Sequence, residues 1–120
     1  MKKILIIEDE LVTRKILYTI LSGDYNLNEA EDAEKGLEII ESDFNPDMII
    51  CDLNLPGMSG MEFLKKVNLK KIPFVMLTID NDRQKKEEGK NLGLTGWMVK
   101  PFSPESVKAM VKKILKDDTA

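Results

Sequence analysis

Short apolar runs in this chain end in residues that could do chemistry. Ile4-Leu5-Ile6-Ile7 runs into three acids, Glu8-Asp9-Glu10, and Met48-Ile49-Ile50-Cys51 into Asp52. Phe74-Val75-Met76-Leu77 ends at Thr78, and Trp97-Met98-Val99 at Lys100. A carboxylate at the mouth of a buried strand is costly unless something there uses its charge. Two carboxylates about 4 Å apart repel by roughly 4 kcal/mol at an effective dielectric near 20. Several acids beside a single lysine therefore call for another cation. The chain has no histidine and one cysteine, so the donors are oxygens, which suit Mg²⁺, with Mn²⁺ as a substitute. A carboxylate beside such an ion can attack phosphorus and form an acyl phosphate. Lys100 would neutralise charge on the transferring group, and Thr78 would hydrogen-bond one of its oxygens. The plainer alternative, that each acid only caps the helix after its strand, explains any one of these residues better than all of them together.

Composition narrows the class. The chain has 120 residues, 42% apolar and 32% charged, which suits one soluble domain with a real core, spanning 1–120. No apolar run is long enough to span a bilayer, and Met1-Lys2-Lys3 leads into a run too short for a signal peptide. The lone Cys51 lies in an apolar run, which predicts an inert core thiol in a reducing cytoplasm. Without histidine, the commonest general base and a histidine phospho-donor role are excluded. Net charge is −3 overall, but residues 1–60 carry −8 and residues 61–120 carry +5. The basic half has no series of stacking aromatics, which argues against nucleic-acid binding.

The elements that must position these residues follow from periodicity. Val12, Ile16, Ile20 with Leu17 and Leu21 predict a helical stripe closing at Ser22-Gly23. Tyr25, Leu27 and Glu29 alternate with Asn26 and Asn28, a weaker strand nearer an edge. Asp32 caps a helix with the stripe Ala33, Leu37, Ile40 and Phe44, and Asn45-Pro46-Asp47 ends it. Pro56-Gly57 turns the chain after Asp52, and Ser59 with Glu62 forms a capping box for a helix to about Val67. After the fourth strand a polar helix runs from about Asp82 to Gly93. Ser103 caps the last helix, with Pro104 at its first position and Val107, Met110, Val111, Ile114 and Leu115 as its stripe. Strands thus begin near residues 3, 25, 47, 73 and 96, each followed by a helix. That is an α/β, (βα)5 chain with a single doubly wound five-stranded parallel sheet and right-handed crossovers. In such sheets ligands bind outside the carboxyl ends of the strands.

With these residues assembled, the chain resembles the response-regulator receiver domains over essentially its whole length. Glu8-Asp9, Asp52, Thr78 and Lys100-Pro101 stand where that family has its signature positions. Glu87-Glu88-Gly89-Lys90 and Gly96-Trp97-Met98-Val99-Lys100-Pro101-Phe102 resemble most the stand-alone chemotaxis regulators of the CheY kind. The resemblance implies the flavodoxin-like strand order 2-1-3-4-5. It implies Asp52 as phosphoacceptor, with Asp9 and Asp52 on Mg²⁺, Glu8 acting through a bound water, and Asn54 lending a backbone carbonyl. It further implies a cis Lys100–Pro101 peptide, and Thr78 and Trp97 as a switch coupling the phosphoryl group to the face made by the fourth helix, fifth strand and fifth helix. Trp97 replaces a more usual Tyr or Phe, and Ile79 is larger than the small residue often found there. Asn54 and Asp80 are placed to tune dephosphorylation.

The expected function is a phospho-switch in two-component signalling, not a turnover enzyme. Its implied partners are a histidine kinase of the chemotaxis CheA type and a downstream target such as a flagellar motor switch component, with a phosphatase as a further candidate. The expected target face surrounds Lys86, Lys90, Trp97, Lys100 and Lys108. The protein is expected to be a cytoplasmic monomer, acting by protein contact, not DNA binding, with Lys116–Ala120 as a frayed end. A phosphorelay carrier, a phosphate sink and a receiver cut from a larger regulator remain open within this reading. A Mg²⁺-dependent aspartyl-phosphate phosphohydrolase is disfavoured because Asn54 stands where an acidic proton donor would be needed. Flavin or nucleotide binding is opposed by three acids in the loop that would have to cradle phosphate.

Overall fold

A computed structural model describes residues 1–79 and 81–116. Its elements alternate: β1 (Lys3–Ile7), α1 (Leu11–Leu21), β2 (Asn26–Ala30), α2 (Ala33–Glu41), β3 (Met48–Asp52), α3 (Gly60–Val67), β4 (Phe74–Thr78), α4 (Arg83–Asn91), β5 (Gly96–Val99) and α5 (Pro104–Leu115). The strands form one parallel sheet in the order β2-β1-β3-β4-β5. The three inner strands consist almost wholly of Ile, Leu, Met, Val and Phe because both their faces are covered. The edge strands are mixed, and β5 is at most half-buried along its length.

Alternation along the strands divides the core into two layers. Ile4, Ile6, Met48, Ile50, Val75 and Leu77 pack with Leu17 and Leu21 of α1 and Val107 and Val111 of α5. Leu5, Ile7, Ile49, Cys51, Phe74 and Met76 pack with Ala33, Ile39 and Ile40 of α2 and Phe63, Leu64 and Val67 of α3. Leu92 and Leu94, at the end of α4, join this second layer. Cys51 is wholly buried, and burial pushes its thiol well above its ordinary range. Among the described residues no helix is long and apolar enough to cross a membrane.

Caps stand where the sequence places them. Ser59 and Glu62 close a reciprocal capping box on α3, and Asp32 accepts from the Lys35 amide at the start of α2. Ser103 caps α5 with Pro104 in its first turn. One stripe differs from expectation. Leu17 and Leu21 are buried, but Val12 is 66% and Ile16 47% exposed. An eleven-residue helix buries only one narrow face against the sheet. Val12 and Ile16 lie on its flank, where Ile16 shares an open groove of about 310 Å³ with Ile79, Pro101 and Phe102. Of the expected frayed end at 116–120, residues 117–120 lie outside the described residues, as does Asp80 with the assignment made for it.

Candidate functional site

Strand parity builds the site. Glu8, Asp52 and Lys100 fall in step with Ile6, Ile50 and Met98, the side chains of the α1/α5 layer. Parallel register brings the ends of β1, β3 and β4 level, since Ile7 pairs with Cys51 and Asp52 with Leu77. Beyond β5, Lys100 donates its backbone N–H to the Thr78 carbonyl (2.7 Å). Its ammonium then reaches across the top of the sheet, 2.7 Å from Glu8 Oε1 and 3.0 Å from Asp52 Oδ2. The Lys100–Pro101 peptide is cis.

Three carboxylates converge there. Glu8 is fully buried, Asp52 is 5% exposed, and Asp9 is open to solvent. One oxygen from each lies within 4.8 Å of the others. Glu8 Oε2 also accepts the Glu10 amide (3.1 Å), and Asp52 Oδ1 accepts the Asn54 amide (3.0 Å). Burial raises the Glu8 carboxyl to about 7, against the lowering effect of Lys100. Burial alone would lower the Lys100 ammonium, but its hydrogen bonds to Glu8 and Asp52 outweigh that and hold it above its ordinary value.

Thr78 and Trp97 belong to the other parity. Thr78 is buried at the end of β4, in step with Phe74 and Met76. Trp97 pairs in register with Met76, packs on the second core layer and carries the Lys86 ammonium 5.8 Å above its ring. Its indole Nε1 is enclosed with no hydrogen-bond acceptor among the described residues. Lys86, Lys90, Leu94, Thr95 and Trp97 line a groove of about 280 Å³. Lys100 does not belong to that face as expected; the paired carboxylates hold its ammonium in the acidic site.

Two residues close to the site carry no obvious signal in the sequence. Arg14 donates from Nη1 to the Glu8 carbonyl (2.8 Å). Glu34 of α2 accepts the Met58 amide (3.1 Å) and so ties down the loop that follows Asp52, next to Gly57 at φ +74°. Neither belongs to a strand end, and both act on backbone groups, Arg14 across the β1–α1 turn and Glu34 on a loop 24 residues away.

Residues 4–112 match the family model of the response regulator receiver domain. The chain belongs to that family. Its receiver fold is shared with the chemotaxis protein CheY4 of Vibrio cholerae, at a TM-score of 0.89 and 34% identity over 95% of this chain and 98% of that one. The receiver is 36% identical to the alkaline phosphatase synthesis transcriptional regulatory protein PhoP of Bacillus subtilis, covering 96% of this chain but 49% of that protein. It is 35% identical to the chemotaxis protein CheY of Pseudomonas aeruginosa, covering 93% of this chain and 94% of that protein. The receiver is thus a two-component signalling domain, equally similar to a transcriptional and to a chemotaxis regulator. As a receiver it implies a partner histidine kinase and a downstream target.

Proposed function

We propose that this receiver accepts a phosphoryl group on Asp52 from a partner histidine kinase, in the presence of Mg²⁺, and thereby changes its α4–β5–α5 face for a target protein. The observation that carries the reading is the Lys100 ammonium held between Glu8 and Asp52 beside Asp9. The donor set fits a hard divalent cation: carboxylate oxygens within 4.8 Å of one another, one of them on an exposed residue. Asp9 and Asp52 would hold the ion directly, Glu8 through water, and the Asn54 carbonyl would complete the protein donors. Bound there, the ion supplies positive charge against the oxygens of the transferring group.

The chain's own residues supply the rest. An Asp52 oxygen forms the new bond to phosphorus while the bond to the donor's leaving atom breaks, its electron pair departing with the leaving group. The Asn54 amide, on Oδ1, orients the carboxylate. Lys100 exchanges its Asp52 contact for a phosphoryl oxygen, and the Thr78 hydroxyl takes another. Trp97 responds through the neighbouring strand. The activity is self-phosphorylation and self-dephosphorylation, without turnover of a separate substrate.

The test is intact mass after incubation with Mg²⁺ and acetyl phosphate, beside Asp52→Asn. One added phosphoryl group, dependent on Mg²⁺ and absent in the variant, supports the reading. A gain that persists in Asp52→Asn refutes the acceptor assignment. For the target, the similarity to CheY supports chemotaxis, with a kinase of the CheA type and a motor switch component as partners. The PhoP match favours a receiver working within a transcriptional regulator. Phosphorylation-dependent affinity for a motor switch peptide selects the first. Return of phosphate to a histidine domain, without such affinity, selects a relay carrier or sink.

A further inference from the structure

The acids of the β1–α1 turn repel one another, yet the structure holds them together. Part of the reason lies on the backbone side. The Glu8 amide donates to the Ala30 carbonyl (3.1 Å), which extends the β1–β2 pairing one residue beyond β1. The Glu8 carbonyl has left the ladder, and Arg14 Nη1 takes it at 2.8 Å. The same guanidinium donates from Nε to Glu29 Oε1 of β2 at 2.9 Å. The Arg14 side chain is only 13% exposed. Glu29 is also bonded by Lys15 (2.8 Å). Burial opposes ionisation of Glu29, but its bonds to Lys15 and Arg14 prevail and hold the carboxyl below its ordinary range. Glu29 is therefore a fixed anionic anchor. The Arg14 amide, in turn, donates to the Glu10 carbonyl (3.0 Å).

The Arg14 side chain thus holds the Glu8 end of the turn and anchors it to β2, while its amide makes the first backbone bond of α1 to Glu10. The geometry requires a planar fork. Two donors set apart on one rigid planar group reach a carboxylate and a carbonyl together, whereas a lysine's donors all sit on one nitrogen and do not reproduce that fixed spacing. We propose that Arg14 is a positioning residue that keeps Glu8 and Asp9 converged on Asp52 and thereby sets the affinity of the site for its divalent cation. This inference rests on the Mg²⁺ reading above and goes beyond it by naming a residue that touches neither ion nor phosphate.

Mg²⁺ alone is titrated calorimetrically into wild type, Arg14→Lys and Glu29→Gln, with urea unfolding run on each. Loss of a group that orients a ligand typically weakens metal affinity about 10-fold or more. Arg14→Lys is expected to weaken Mg²⁺ by about that factor despite keeping its charge. Glu29→Gln, which retains an acceptor for Nε, is expected to weaken it less than about threefold. Hydrogen exchange at the Asp9 and Glu10 amides should quicken in Arg14→Lys. Equal Mg²⁺ affinity in wild type and Arg14→Lys, with only the urea midpoint lowered, makes Arg14 a structural staple and overturns the inference alone. A wild-type protein that binds no Mg²⁺ overturns the site reading and the inference with it.

Discussion

Replacing Lys100 with Met removes a cation in contact with two buried carboxylates, and its cost can be worked from the site. Lys100 lies 2.7 Å from Glu8 and 3.0 Å from Asp52, with its own side chain 20% exposed. Removing one partner of a buried ion pair costs about 3–5 kcal/mol, and partial exposure places this case near about 3 kcal/mol at pH 7. The pH dependence is the sharper consequence. Glu8 is raised to about 7 in the folded protein, above its ordinary 4.5. Between those values the folded state binds the extra proton, so stability falls as pH rises, and the fall ends near pH 7. Without Lys100, Glu8 holds its proton to higher pH and the fall continues. From pH 7 to 8 the variant should lose up to about 1.4 kcal/mol, against roughly 0.4 kcal/mol in wild type, where Glu8 is already half ionised. Urea unfolding of both proteins at pH 7 and 8, without Mg²⁺, reads this directly. Saturating Mg²⁺ should recover much of the loss by supplying the missing charge. A deficit under about 1 kcal/mol, or one identical at both pH values, would refute the electrostatic account of the site.

Glu8 makes a second prediction: Mg²⁺ affinity should weaken as pH falls below about 7, because the ion competes with its proton, and Glu8→Gln should flatten that dependence in calorimetry. Gly60→Ala should be destabilising by about 2 kcal/mol or more, although alanine favours a helix. Its Cβ would stand 2.4 Å from the Asp52 carbonyl oxygen and 2.9 Å from Leu53 Cα, and a wild-type urea midpoint would show that this contact relaxes freely. Ser59→Ala removes the hydroxyl that accepts the Glu62 amide, leaving the backbone half of the α3 capping box, and should cost about 1 kcal/mol, read in the same unfolding assay, with Mg²⁺ binding unchanged.

Much of this was legible because local chemistry and the long-range fold agree. Ile4–Ile7, Met48–Cys51 and Phe74–Leu77 are apolar on both faces, and only a strand buried on both faces requires that. Ser59, Asp32 and Ser103 mark helix starts through hydrogen bonds to their own neighbours. Alternation within each strand also determined which terminal residues share a face. The sequence therefore determined the α/β class, the strand ends and the polar residues carried on them. The resemblance to receivers contributed the strand order. Only the tertiary structure decided what depends on partners distant in the chain. It set the partners of Lys100 within the acidic site expected for it, Glu8 and Asp52, 92 and 48 residues away. It left Val12 and Ile16 on the flank of α1, since a stripe can be read from spacing but the width of the covering surface cannot. It gave Arg14 its place, because a side chain that bonds a backbone carbonyl leaves no mark on the identity of the residue it holds.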